Sequence, residues 1–264
     1  MRKVSLEQLL VTRGLFENSL NAQLSIQEGL VRVDGRVVIK PAQMISVKSR
    51  VEVVSGLEFV SGGGLKLKAA LDEFAISPKA RICADVGAST GGFTDCLLQR
   101  GAQKIYAIDV LKDELHPKLQ AMPEVVVMDR TNARLLKTLP EPVSLIAIDV
   151  SFISLDFILP VVMGWFKGQL GEVIALVKPQ FEAERELVRK HKGVIHEKAA
   201  HAQILEQVLS FSLKLGYSIS GLMPSPITGL DGNDEFLLWL TKNQPNSSVE
   251  LSAAIDQALA RVSY

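Results

Sequence analysis

The feature that most limits what this chain can fold into is an alternation that begins near residue 81. Short runs rich in Val, Ile, Leu and Ala, at 81–86, 104–110, 124–128, 143–150, 172–177, 217–223 and 235–240, alternate with helical patterns. Two strands joined by a helix lie parallel, with the helix crossing over one face of the sheet. Such runs therefore predict a mostly parallel sheet covered on both sides by helices. The last two runs are joined by a loop containing Pro224-Ser225-Pro226 instead of a helix, which predicts an antiparallel hairpin at one edge. An α/β class with seven strands, one of them reversed at the edge, is the expectation.

The first sixty residues break this pattern. Helical segments from Ser5 to Arg13 and from Ser19 to Glu28, stopped by Gly14 and Gly29, precede Val31-Arg32-Val33 and Val37-Val38-Ile39, which flank Asp34-Gly35-Arg36. Asp-Gly accepts the positive φ of a tight hairpin turn, and Arg50-Val51-Glu52-Val53-Val54 adds a further strand. Residues 1–60 thus read as a small α+β domain. After Ser55-Gly56, the run Ser61-Gly62-Gly63-Gly64 leads into a helix with apolar positions Leu65, Leu67, Ala70, Leu71 and Phe74, so residues 61–264 form the second domain. At the far end, Ser247-x-x-Glu250 before Leu251, Ile255, Leu259 and Val262 predicts a capped closing helix.

Composition excludes more than it assigns. The 29 Lys and Arg offset 29 Asp and Glu, so no global field announces a polyanionic partner and any nucleic-acid surface is local. Residues 1–60 carry eight basic and six acidic side chains, a weak bias. Cys83 and Cys96 form no C-x-x-C, and no histidines stand at metal-ligand spacing, so both read as buried thiols and no metal site is expected. With neither a signal segment nor an apolar run near the ~20 residues a bilayer demands, the expected setting is cytoplasmic, with no membrane partner.

The first strand of the large domain turns into its helix through Ala84-Asp85-Val86-Gly87-Ala88-Ser89-Thr90-Gly91-Gly92-Phe93-Thr94. Glycines there let the backbone approach a ligand and leave helix N–H groups facing it. Asp109 ends the next strand, where a carboxylate accepts ribose hydroxyls, and Asp129 ends the third. The loop is not G-x-G-x-x-G and lacks the Lys-Ser/Thr of a P-loop, which disfavours dinucleotides and nucleoside triphosphates. An acid at its start, Asp85, suits a ligand bearing an amino acid, which points toward S-adenosylmethionine. The expected cofactor residues are Asp85, Gly87, Ser89, Thr90, Gly91, Gly92, Phe93, Asp109, Asp129 and Asp149.

Asp149 closes the fourth strand and Lys178 the fifth, so both side chains are expected in one crevice beyond the strand ends, either as a structural ion pair or as chemistry. Lys66 follows the glycine run, and Glu235 enters the last strand after Gly232-Asn233-Asp234. Several stretches together closely resemble the TlyA (haemolysin A) family across nearly the whole chain. They are Ser-x-Gly-Gly-Leu-Lys-Leu, the loop above through Asp-Cys-Leu-Leu-Gln-Arg-Gly-Ala, Arg130-Thr131-Asn132-Ala133-Arg134, Ile-Asp-Val-Ser-Phe-Ile-Ser-Leu, Leu-Val-Lys-Pro-Gln-Phe-Glu and Pro-Ser-Pro-Ile-x-Gly. The resemblance implies a Rossmann-like methyltransferase fold of FtsJ type with an N-terminal RNA-binding domain like that of ribosomal protein S-four. It also implies 2'-O-methylation of cytidine in ribosomal RNA, with ribosomal RNA or ribosomal subunits as partner. The family's catalytic Lys-Asp-Lys-Glu set falls on Lys66, Asp149, Lys178 and Glu235.

A ribose hydroxyl is a poor acid, so the reaction calls for a base and an in-line approach to the methyl. Lys178 is the expected base, or the group that acidifies the hydroxyl. Only a neutral amine accepts a proton; burial and the like charge of Lys66 favour that form, while Asp149 opposes it. Arg32, Arg36, Lys40, Lys48 and Arg50 are expected to present a basic hairpin face. Arg134 and the charge run Arg189, Lys190 and Lys192, read as a clamping lid, would extend the RNA contacts. Departures from the family pattern, with Gly62 in place of Arg and Asn18-Ser19-Leu20-Asn21 in place of basic residues, thin this surface and motivate an alternative, a non-catalytic RNA-binding protein. A haemolysin is a weaker alternative, since no apolar span or basic amphipathic helix supports it.

Overall fold

A computed structural model describes residues 3–16, 18–27, 29–54, 58–166, 168, 170–229, 231–242, 250–262 and 264. The N-terminal unit contains β1 (Lys3–Ser5), α1 (Leu6–Thr12), α2 (Ser19–Gln27), β2 (Val31–Val33), β3 (Arg36–Val37), β4 (Met44–Ser46) and β5 (Val51–Val53). Ser5 caps α1, its hydroxyl accepting from the Gln8 N–H at 3.4 Å. Asp34 and Gly35 both take positive φ, 51° and 82°, as a primed hairpin turn demands. Leu6, Leu9 and Leu10 pack with Ala22, Ile26, Val31, Val33 and Ile45 in a small core of their own. The pairing of β1 with β4 had no signal in the sequence, because three-residue strands are too short to display an alternation. Glu28, at the expected end of the second helix, the Ser55-Gly56 junction and Ser247 lie outside the described residues; the expected capping box is not formed, because Glu250 is itself the N-cap of the closing helix and does not sit inside its first turn.

The second unit runs α3 (Gly63–Glu73), β6 (Ile82–Val86), α4 (Gly92–Gln99), β7 (Lys104–Ile108), α5 (Pro117–Gln120), β8 (Val125–Met128), β9 (Leu145–Ile148), α6 (Leu159–Val162) and β10 (Gly171–Val177). It continues through α7 (Pro179–Glu182), α8 (Arg185–Lys190), α9 (Lys198–Lys214), β11 (Ser218–Pro224), β12 (Phe236–Lys242) and α10 (Leu251–Ala260). All seven expected strands form one sheet in the order β11-β12-β10-β9-β6-β7-β8. The hairpin stands at one edge as expected. Within it the reversed strand is β12, one in from the margin, paired antiparallel with both β10 and β11.

Each face of the sheet is buried. One core gathers Trp165, Phe166, Leu205, Leu209 and Phe236, and the other Leu67, Leu71, Leu97 and Leu237. Cys83 and Cys96 are buried free thiols, as expected. Helix α3 starts at Gly63, two residues earlier than the apolar period suggests. Gly64 lies within it at a place where a Cβ would stand 2.3 Å from the Phe59 ring, a contact only glycine avoids. The charge run at 184–192 contains the short helix α8, with Arg189, Lys190 and Lys192 exposed. Among the described residues, no helix is long and apolar enough to cross a membrane.

Candidate active site

Topology explains why four distant residues meet. Parallel strands deliver their carboxyl ends to one edge of the sheet, so Asp149 after β9 and Lys178 after β10 emerge side by side. Strand β12 runs the other way, and its first residue, Phe236, pairs with Val177. Glu235, just before it, therefore arrives where β10 ends. Lys66, on the second turn of α3, reaches the same place.

The four side chains form two ion pairs. Lys66 Nζ donates to Glu235 Oε2 at 2.5 Å, with both residues buried. Lys178 Nζ stands 2.6 Å from Asp149 Oδ1 and donates to Ser151 Oγ at 2.9 Å. The contact with Asp149 is not aligned as a hydrogen bond, so charge rather than directionality holds it. Burial pushes Glu235 above the usual carboxylate range, while Lys66 and Lys178 pull the other way. Gly229 packs against the Glu235 carboxylate so closely that a Cβ there would stand 2.6 Å from Oε1.

These residues line a crevice of about 350 Å³, within the usual size range of small-ligand sites. Of the expected cofactor residues, Gly87, Ser89, Thr90, Gly92, Phe93 and Asp149 line it. Gly87 takes φ +85°, and a Cβ on it would strike the Asp149 carbonyl oxygen at 2.3 Å. Gly91, at φ +98°, begins α4 under Leu115 and Leu119. Ser89 also has positive φ, and its N–H donates to Asp109 Oδ2 at 2.8 Å.

Asp109 and Asp129 follow β7 and β8 on the same edge of the sheet but do not line the crevice itself. Asp109 also accepts from the Leu111 N–H, and Asp129 from that of Asp113. Asp85 is placed differently from the expectation. It is wholly buried beneath the loop, where Thr94 Oγ1 donates to its Oδ2 at 2.6 Å, and it does not line the crevice. Its Oδ1 has no partner. Burial, reinforced by Asp149 and Asp109 against the opposing Thr94 bond, pushes its carboxyl up to about 7. The reason is topological, since Asp85 lies inside β6 with neighbours Ala107 and Ala147 on both sides.

Among the residues expected to meet RNA, Arg32, Arg36, Lys48, Arg50, Arg134, Arg189, Lys190 and Lys192 are exposed. Arg50 is paired with Glu52 at 2.5 Å. Lys40 is turned away from an open hairpin face, its ammonium donating to the Asp231 carbonyl of the second unit. A cleft of about 670 Å³ opens between the units, lined by Arg36, Lys40, His196 and Arg261. It adjoins the crevice, because Ile227, Asp231 and Glu235 line both.

Phe152, Phe181 and Gln180 are among the crevice-wall residues that were not singled out from the sequence. Phe152 is 91% exposed with φ +63°, an uncommon backbone for an aromatic residue. Its ring centroid lies 5.0 Å from that of Phe181. Gln180 completes the group. Their signal lay within the quoted Ser-Phe-Ile-Ser-Leu and Lys-Pro-Gln-Phe-Glu stretches, but nothing in a sequence says that a phenyl ring is left uncovered.

Comparison with known proteins gives a consistent picture. A family model described as FtsJ-like methyltransferase matches residues 59–242. The Bacillus subtilis protein YqxC is 46% identical over 246 residues, covering 90% of this chain and 86% of that one. The 16S/23S rRNA (cytidine-2'-O)-methyltransferase TlyA of Mycobacterium tuberculosis is 40% identical over 243 residues, covering 90% of each chain. A solved Streptococcus thermophilus structure superposes with a TM-score of 0.76 at 38% identity, covering 99% of this chain and 96% of that one.

Proposed function

Since the chain belongs to the FtsJ-like methyltransferase family, we propose that it methylates a ribose 2'-hydroxyl of ribosomal RNA, at cytidine, with S-adenosylmethionine as methyl donor. The observation that carries this reading is the doubly paired set Lys66–Glu235 and Lys178–Asp149 at one end of a methyltransferase sheet. The cofactor fits the residues present. At Gly87 the backbone lies too close to the Asp149 carbonyl for any Cβ, so the turn stays bare where it lines the crevice, and Asp149 faces the same crevice. The loop from Gly87 to Phe93 would hold it, with Asp109 and Asp129 further along the sheet edge.

When bound, the cofactor supplies an electrophilic methyl group on a sulfonium. The protein's part is to seat the hydroxyl and manage its proton. Asp149 and Ser151 fix Lys178 Nζ at the crevice wall. Lys178 Nζ is the group placed to receive the hydroxyl proton, or to acidify the hydroxyl through its charge, and Asp149 holds its ammonium form. Glu235, neutralised by Lys66, closes the far side without adding a net charge that would oppose this proton transfer. The cleft bearing Arg36 leads a strand of RNA from the N-terminal unit toward the set. A cytoplasmic location follows from this substrate.

The test is transfer of a labelled methyl group from S-adenosylmethionine to unmethylated ribosomal subunits. Lys178→Ala is expected to lower the rate by about 10²- to 10⁴-fold, the usual worth of a positioned base, with cofactor affinity retained. Equal labelling by the two proteins would refute the assigned role. No labelling by the wild-type protein would leave a non-catalytic RNA-binding role as the better account.

A further inference from the structure

We propose that Gln180 selects the base of the target nucleotide, its amide oxygen accepting a hydrogen bond from the exocyclic amino group of cytosine. This rests on the ribose-methylation reading above. Gln180 stands two residues after Lys178 and lines the crevice together with Ser151, Phe152 and Phe181. Its Oε1 is closed off from solvent, yet no described residue donates to it. Buried polar atoms in folded proteins are overwhelmingly paired, and an orphan carbonyl oxygen is unfavourable. A donor that arrives with the substrate, met by a turn of the Gln180 side chain into the crevice, removes that penalty.

The neighbouring groups indicate what the donor belongs to. Lys178 is committed to Asp149 and Ser151. Glu182, the ionisable side chain of the same short helix, is spent on the Ser154 hydroxyl at 2.7 Å and the Leu155 N–H at 3.0 Å. That clip fixes the loop carrying Phe152 against the helix carrying Gln180. Phe152 and Phe181 then form an apolar shelf beside the reacting residues, with Lys178 Nζ 5.9 Å from the Phe181 ring centre. A flat base packs on such a shelf and turns its polar edge to Gln180.

On cytosine that edge carries an amino donor, whereas uracil carries a carbonyl acceptor at the same position. An acceptor facing Oε1 is repelled, and the amide must rotate to offer its NH2 group instead, so two pyrimidines of equal size are separated by the cost of that rotation. Sites built to pair a polar group discriminate more strongly than shape alone.

The experiment uses the full chain, labelled S-adenosylmethionine, unmethylated ribosomal subunits, and matched subunits carrying uridine at the modified position. Wild type is expected to favour cytidine by about tenfold to a hundredfold in kcat/KM. Gln180→Leu is expected to bring that ratio close to one by slowing cytidine, with cofactor affinity by calorimetry unchanged. Gln180→Glu, which still accepts but cannot donate, is expected to keep the preference. A Leu variant with the wild-type ratio, a Glu variant without preference, or a wild type that treats both substrates alike overturns the assignment to Gln180. Wild type that labels neither substrate overturns the methylation reading itself, and this proposal with it.

Discussion

Asp85 shows how one residue can be legible in identity yet not in role. Its position at the start of the glycine loop suggested a contact with the cofactor, but the structure buries it under the loop with one oxygen unpartnered. The consequence is a pH dependence whose sign is fixed. In the unfolded chain an aspartate titrates near 4, and in the native protein Asp85 titrates at about 7. Between these values the native state binds more protons than the unfolded state, so stability is fully present at the low end and declines as pH rises to about 7. Asp85→Asn keeps an acceptor for Thr94 and removes the titration. It is expected to flatten the melting temperature between pH 4 and 7 and to stabilise the protein at pH 8, by up to about 4 kcal/mol. Parallel curves for the two proteins would show that Asp85 does not titrate in this window. The proposed catalytic set is the opposite case: Asp149 and Lys178 meet at the strand ends as the strand-end argument expected, and Lys66 and Glu235, named only by the family resemblance, line the same crevice.

At the scale of elements, the cofactor turn depends on backbone shape more than on side-chain chemistry. Gly87 permits β6 to turn beneath the Asp149 carbonyl; an added methyl meets that oxygen at 2.3 Å in a conformation that L residues avoid. Gly87→Ala is therefore expected to weaken S-adenosylmethionine binding at least about tenfold, since a strained backbone position costs roughly 1–3 kcal/mol. Titration calorimetry measures this, and an unchanged affinity would mean that the loop tolerates a shift. The seven strands and their crossover helices were readable because parallel strands buried on both faces are continuous apolar runs. The reversal of β12 was readable as a hairpin from Pro224-Ser225-Pro226, but its insertion between β10 and β11 was not. Strand order within a sheet is set by which edges bury most apolar surface, and local patterns do not carry that information. The same limit hid β1 and β4, whose three residues each form a sheet only because the chain returns to pair them.

For the whole molecule, the relation between the two units decides what the basic residues do. Lys40, expected among the RNA contacts, ties the hairpin to the Asp231 carbonyl and lines the same cleft as Arg36. Arg36 lines the cleft that adjoins the crevice. Arg36→Ala is expected to weaken binding to ribosomal subunits and to lower the slope of log affinity against log salt by about one, as for the loss of one phosphate contact. Filter binding at several salt concentrations checks it, and an unchanged slope would place the RNA elsewhere.

By itself the sequence determined the class of sheet, the glycine turn at its first strand and the shared strand-end position of Asp149 and Lys178, because periodicity and strand-end position are local properties of a chain, whereas Lys66 and Glu235 entered only through the family resemblance. Only the tertiary structure decided which lysine pairs with which carboxylate, that Asp85 lies below the loop, that Phe152 is uncovered, and that Gln180 holds an unpaired oxygen. Those are outcomes of packing between segments far apart in sequence, where burial sets both charge state and accessibility.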